Sequence, residues 1–268
     1  GMTLVMITGG IDISVGSVTA LVCMSAAYAM ENKGMSAVAA VVISLLIGTL
    51  FGIVQGYLVT YLEIQPFIVT LAGMFFGRGL TAVISTDMIA IQNKTFLKWA
   101  NYRINLPFGT YNRRGIFIPA YIYPTVIIAL AVVILITIML KFTKFGRSLY
   151  AIGGNQQSAV MMGLNVKRTK MKAYVLDGFL AGLGGFLFCL NSCAGFVEQA
   201  KGLEMDAIAS AVIGGTLLSG GVGTVIGTLF GVLINGTISS LITTQGTLSS
   251  WWVRITLSAL LCFFIVLQ

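Results

Sequence analysis

Stretches of about 20 mostly apolar residues recur along this chain, and the recurrence leaves few folds open. A hydrocarbon core about 30 Å thick takes about 20 such residues as one helix. That rule places spans at residues 13–30, 36–62, 66–84, 119–140, 173–194, 205–219, 223–244 and 248–268. Charged residues make up 9% of the chain and hydrophobic ones 57%, against about a quarter charged in an ordinary soluble domain, so a water-soluble fold is excluded. In lipid the backbone must satisfy its own N–H and C=O groups. The expected architecture is therefore all-α, one polytopic transmembrane helical bundle over residues 1–268. The segment 205–219 is short and glycine-rich. It is expected as a broken or re-entrant helix, tolerated at depth only inside protein or beside a water-filled path.

Charge sets the orientation. The chain carries 16 Lys and Arg against 8 Asp and Glu, a net charge of +8. The cations gather in a few loops between apolar runs, which is how a membrane protein orients itself and not a nucleic-acid surface. The segment 141–172 holds Lys141, Lys144, Arg147, Lys167, Arg168, Lys170 and Lys172 without one acid and is expected to be cytoplasmic. Counting outward puts the loop 85–118 on the other side, although it carries Lys94, Lys98, Arg103, Arg113 and Arg114 against Asp87. Trp99, Tyr102, Tyr111, Tyr121 and Tyr123 in or after it suit an interfacial aromatic belt. This outer loop is either a docking surface for a delivery protein or a solvated connection. Residues 1–8 lack a basic leader and a cleavage site, and they already belong to an apolar run. The chain is expected to be N-terminally incomplete.

Several chemistries are excluded. Without a histidine there is no imidazole catalysis and no His-ligated metal. Cys23, Cys189, Cys193 and Cys262 show no C-x-x-C spacing, and Cys189 and Cys193, one helical turn apart, read as small apolar packing residues. No phosphate-binding glycine loop, H-E-x-x-H or G-x-S-x-G is present. If ATP drives this protein, another subunit binds it, and no cofactor or metal site is expected.

Glycine spacing points to close helix contact. Gly48, Gly52 and Gly56 recur every fourth residue, as do Gly223, Gly227 and Gly231; Gly73 with Gly77 and Gly178 with Gly182 repeat the interval. Each set lies on one helix face, and small residues let helices approach closely where hydrophobicity alone offers no gain. Among polar groups at depth, Asp12 and Ser14 stand in the nonapeptide 9–17, GGIDISVGS. Either one caps the helix that begins near Val15, or they line a solute path; the two roles are compatible. Gln55, Asn191, Asn235 and Gln245 are read either as interhelical hydrogen-bonding groups or as path-lining amides. Asn235 continues the face of Gly231. Asp177 is taken as an interfacial charge or a partner for Lys172 or Arg168, which leaves Asp12 as the one plausible buried acid.

With spans and loops placed, the chain resembles the ribose-permease family of bacterial sugar ABC importers, and within it the galactofuranose importer permeases. The resemblance is carried by GGIDISVGS (9–17), PFIVTLAGMFFGRG (66–79), FGRSLYAIGGN (145–155), DAIASAVIGGTLLSGGVGTVIGTLFG (206–231) and GTLSSWW (246–252). It implies a multi-pass protein of the bacterial inner membrane with the ABC importer permease fold. It implies as partners a cytoplasmic ABC ATPase subunit, a second permease subunit and a periplasmic sugar-binding protein. Gln157-Ser158-Ala159, followed by Gly163 and Asn165, is similar to the E-A-A-x-x-x-G coupling element of importer permeases, with Gln157 and Ser158 departing from the usual residues. Sugar is then expected to pass between the segments 9–17 and 206–224. The rival readings are an ion-coupled secondary transporter, which wants several buried carboxylates, and a branched-chain amino-acid ABC permease.

Overall fold

The structure, a computed structural model, describes residues 1–111, 117–244 and 250–267. Gln245, Arg113 and Arg114 lie outside the described residues, as does the junction where the last span was expected to begin. In chain order the elements are α1 (Met2–Ile7), α2 (Val15–Glu31), α3 (Ala37–Thr60), α4 (Pro66–Ile84), β1 (Ile89–Ala90), α5 (Lys94–Asn101), β2 (Ile104–Tyr111), β3 (Phe117–Ile122) and α6 (Pro124–Phe142). They continue with α7 (Lys144–Gly154), α8 (Gln156–Met161), α9 (Val166–Ser192), β4 (Ala194–Gly195), α10 (Leu203–Ile213), α11 (Val225–Thr244) and α12 (Ser250–Leu267).

Helices α3, α4, α6, α9 and α11 are each long and apolar enough to cross a membrane. The best window of α6 has a mean hydropathy of 2.8, yet only 11% of it is buried inside the protein. A helix that greasy and that bare has lipid as its solvent: the chain is a multi-pass membrane protein. At the centre stands α2, apolar all round and buried on nearly every side, as expected of a helix with no solvent face. All six residues of α1 are buried too, packed among α7, α9 and α10.

The seam between α3 and α9 is built from glycine on both helices. A Cβ on Gly48 would fall on the Gly178 carbonyl and the backbone of Gly182, and one on Gly52 would meet the Tyr174 carbonyl and Gly178. Gly56 lies over Met171 and Tyr174. The face expected from sequence at 48, 52 and 56 is therefore a helix crossing. The second set holds only in part. Gly227 packs on Gly214 and Gly231 on Ser210 and Gly214, but Gly223 precedes α11, which starts at Val225, and lies against Thr216 instead. The chain from Gly214 to Thr224 is not helical because α10 ends at a left-handed glycine, Gly215 (φ 84°). The broken helix expected at 205–219 is thus α10 followed by a turn-rich return.

Other boundaries also move. The segment 119–140 does not start as a span, since Phe117–Ile122 is a strand and the helix opens at Pro124. Proline suits that first position, where its missing N–H is not needed. The described residues of the segment 85–118 carry strands: β1 pairs with β4, and β2 pairs antiparallel with β3, setting Ile104 opposite Ile122. The basic segment 141–172 is mostly helical, and α9 begins inside it because the Asn165 side chain accepts from Arg168 N and caps it.

Candidate functional site

Two helices are interrupted in the same way. At the end of α1, Gly9 N donates to the Met6 carbonyl (2.9 Å) and Gly10 N to that of Val5 (3.1 Å), with Gly9 left-handed at φ 77°. At the end of α10, Gly215 N donates to Val212 (2.9 Å) and Thr216 N to Ala211 (2.9 Å), with Gly215 left-handed. These are paired Schellman closures, which glycine allows because it lacks a Cβ. The breaks then meet. Gly221 N donates to the Ile7 carbonyl at 2.8 Å, and a Cβ on Gly220 would collide with Gly9. Segments 9–17 and 206–224, between which sugar was expected to pass, meet here backbone on backbone.

A polar chain fills the first break. Asp12 Oδ1 accepts from Ser14 N (2.7 Å) and from Ser14 Oγ (2.6 Å), and Gln55 Nε2 on α3 donates to Ser14 Oγ (2.8 Å). Ser17 Oγ donates to the Ser14 carbonyl at 2.7 Å, and Thr70 Oγ1 on α4 reaches the Ile11 carbonyl at 3.3 Å. Ser14 occupies the position before α2 without a side-chain cap bond; Asp12 makes the turn by accepting from Ser14. Two α4 glycines leave room for this chain: a Cβ on Gly73 would strike Gln55, and one on Gly77 would strike Ser17. Asp12, Ser14 and Gln55 are all buried. Beside Gln55, α3 and α4 flank a largely apolar groove of about 540 Å³.

The remaining amides do not join this cluster. Asn235 is buried between α10 and α11, where its Nδ2 donates to Ser210 Oγ at 3.3 Å. Asn191 is exposed near the end of α9, in a small cleft with Asn101 and Tyr123. The structure overturns one expectation outright: Asp177 is not interfacial and pairs with neither Lys172 nor Arg168, but is 1% exposed on α9. Glu204 is buried as well, over Gly16 at the start of α2. Asp12 is therefore not the sole buried acid. The missed signal was periodic. Tyr174, Asp177, Gly178, Ala181, Gly182 and Gly185 fall on one helical stripe, and all are buried.

At the basic end, Gln157, Ser158 and Ala159 form the short α8, whose Ala159 is buried while Gln157 and Ser158 are exposed. Asn155 Oδ1 caps it through Ser158 N (2.9 Å). Gly163, left-handed at φ 77°, turns the chain into α9 at Asn165. A cleft of about 750 Å³ runs between this turn and Tyr61 and Glu63 at the end of α3. Lys167 Nζ bridges to Glu63 Oε1 across it at 2.9 Å, and the ammonium holds the Glu63 carboxyl below its ordinary range. Among the described residues no cluster of three or more Cys, Asp or Glu could hold a metal ion.

Over residues 1–265 the chain matches the family model described as branched-chain amino acid transport system / permease component. It is 42% identical, along its whole length, to the inner membrane ABC transporter permease protein YjfF of Escherichia coli (strain K12), covering 78% of that protein. To the fructose import permease protein FruG of Bifidobacterium longum (strain NCC 2705) it is 36% identical over its whole length and 77% of the relative. To the ribose import permease protein RbsC of Bacillus subtilis (strain 168) it is 39% identical over 90% of this chain and 70% of that one. No solved structure matches the chain. These relatives are permease subunits and not enzymes, and with its membrane helices, its paired glycine breaks and this match along nearly its full length, the chain belongs to the branched-chain amino acid transport system / permease component family.

Proposed function

We propose that the chain is the membrane-spanning permease subunit of an ATP-driven importer in the bacterial inner membrane and that its solute is a sugar, galactofuranose or a related monosaccharide. The observation that carries the reading is the direct mechanical line from α8 to the Asp12 cluster. α8 is short and leads through Gly163 into α9, a single helix of 27 residues locked to α3 by glycine. α3 carries Gln55, which holds Ser14. A push on α8 thus reaches the polar break through the Gly163 turn and the glycine seam of α9 with α3. α8 and the turn after it expose apolar surface, with Met161 88% and Met162 67% exposed, as a face covered by an ATPase subunit would.

A sugar is neutral and well hydrated, so its route needs hydroxyl and amide partners. Asp12, Ser14 and Gln55 supply them at one break, and Ser210 with Asn235 supply them beside the other. In the cycle we infer, a periplasmic binding protein delivers sugar to the outer face of two paired permease subunits, and ATPase closure moves α8 and α9 so that the joined breaks part. The relatives named for fructose and ribose import support a sugar. The family description favours the second reading, a branched-chain amino acid.

The test is uptake into proteoliposomes that hold the chain with its ATPase and binding protein. ATP-dependent accumulation of labelled galactofuranose is expected. Uptake driven by an ion gradient without ATP would overturn the importer reading. A binding protein that retains leucine and ignores sugars would replace the solute.

A further inference from the structure

At the basic end of the molecule a cleft of about 410 Å³ opens between the end of α6, α7 and the start of α11. Lys141, in the last turn of α6, and Arg147 of α7 both line it, and no Asp or Glu does. Both cations are exposed. Among the described residues neither forms an ion pair; Lys141 Nζ lies only over the Phe142 ring, 5.6 Å from its centre. The other polar side chains of the cleft are bonded within the protein. Thr137 Oγ1 donates to the Val133 carbonyl (2.7 Å), Tyr150 Oη donates to that of Gly223 (2.7 Å), and Thr224 Oγ1 accepts from Gly227 N (3.0 Å). Two unpaired positive charges are what the cleft offers a ligand.

Its depth in the membrane follows from helix length. α6 has 19 residues and α11 has 20, so at about 1.5 Å per residue each runs about 30 Å, the thickness of one hydrocarbon core. Lys141 near the end of α6 and Val225 at the start of α11 therefore stand at one edge of that core, where headgroups lie. Away from that edge both spans are bare, with 11% of each apolar window buried, and Ile138, Ile226 and Phe230 are exposed. The cleft reaches Thr137, a full turn deeper than Lys141. An acyl chain can enter there, whereas an irregular acidic segment of a soluble partner would leave its backbone polar groups unsatisfied.

We propose that this cleft seats an anionic phospholipid from the leaflet at the basic end, its phosphate between the Lys141 ammonium and the Arg147 guanidinium and its acyl chains along α6 and α11. Basic pockets between membrane helices suit such headgroups, and the planar guanidinium can hold a phosphate through two parallel hydrogen bonds. The seat adjoins the glycine breaks. Tyr150, one turn after Arg147, holds the Gly223 carbonyl, and a Cβ on Gly153 of the same helix would strike the Ile7 carbonyl and Gly221. α7 thus stands between the lipid and the joined breaks. The site requires no assumption about the solute.

The test is native mass spectrometry of the full chain purified in detergent and titrated with short-chain phosphatidylglycerol, phosphatidylcholine or inorganic phosphate. Preferential retention of phosphatidylglycerol is expected; equal retention of phosphatidylcholine overturns the proposal without any variant. Inorganic phosphate should not displace the lipid at equal concentration, and displacement would make this a site for the free anion and overturn the lipid reading. Lys141→Gln and Arg147→Gln should each weaken phosphatidylglycerol binding about fivefold, and together about twenty-five-fold. Lys94→Gln with Lys98→Gln, on α5, should leave it unchanged. Lys141→Arg should retain the lipid, which separates loss of charge from loss of fold. A double Gln variant that binds phosphatidylglycerol as the wild type does, but no longer holds the ATPase subunit, would give the two cations to that subunit and overturn the proposal.

Discussion

A single side chain, Asp12, organises the first break: it accepts two hydrogen bonds from Ser14, which in turn accepts from Gln55. Removing an acceptor from a buried network leaves its donors unpaired, at a cost of about 1–3 kcal/mol. Asp12→Ala should therefore destabilise the detergent-purified chain by a free energy of that order, read as a lowered thermal midpoint. Asp12→Asn keeps an acceptor for Ser14, so it should hold the fold while reducing sugar uptake; full uptake would remove Asp12 from the path. Glycine positions divide just as sharply. Gly48 has no room for a Cβ, whereas a Cβ on Gly79 of α4 would meet nothing within 4 Å. Gly48→Ala should destabilise by about 1–3 kcal/mol through overpacking. Gly79→Ala should stabilise by about 0.5–1 kcal/mol by relieving the entropy cost of a helical glycine. Equal midpoints for the two variants would contradict the α3–α9 seam.

Among elements, the decisive arrangement is the turn from α8 into α9. Gly163 holds a left-handed φ of 77°, a conformation that costs a β-branched residue about 1–3 kcal/mol. Gly163→Val should leave the membrane helices folded and let ATP hydrolysis proceed without uptake; unchanged coupling would remove α8 as the lever. The Glu63–Lys167 bridge is the other tie at this end. Lys167 depresses the Glu63 carboxyl, so the tie is fully formed above the ordinary glutamate value of about 4.3 and is lost as pH falls through the lower, bridged value. It is constant through the neutral range. Both side chains are mostly exposed, and exposed pairs add little to stability. Lys167→Gln should leave the thermal midpoint unchanged at neutral pH and speed amide hydrogen exchange in α8. A midpoint that drops with no change in exchange would contradict this assignment.

For the whole molecule, two glycine-closed breaks sit back to back, with α2 buried beside them and α3, α4, α6 and α11 turning apolar faces outward. Such a molecule holds no nucleotide site of its own by sequence motif. The isolated chain should show no ATPase activity, and uptake should appear only when the ATPase subunit is added; hydrolysis by the purified chain alone would contradict the subunit reading. The connections around α5 and after β4 are tied to the helices. Glu31 Oε1 accepts from Gln92 N and Asn93 N at 2.8 and 3.0 Å, and Arg78 Nη1 donates to the Val197 carbonyl at 2.8 Å. The end of α2 is thereby tied to the residues just before α5, and α4 to the segment that follows β4.

What could be read along the chain was whatever depends on local spacing. Apolar length located helices because a bilayer imposes it, and the interval of four put Gly48, Gly52 and Gly56 on one face because a helix turns every 3.6 residues. Asp177 was misjudged because its nearest charges in sequence, Lys172 and Arg168, are not its neighbours in space. Gly223 was misplaced because a helical interval continues on paper past the point where the backbone has left the helix. The partners of Gly48 and Ser14 lie on other helices, more than a hundred residues away in the first case and about forty in the second. Only tertiary packing decides which faces meet, because helix contact in lipid depends on shape and on satisfied polar groups rather than on any periodicity a single segment carries.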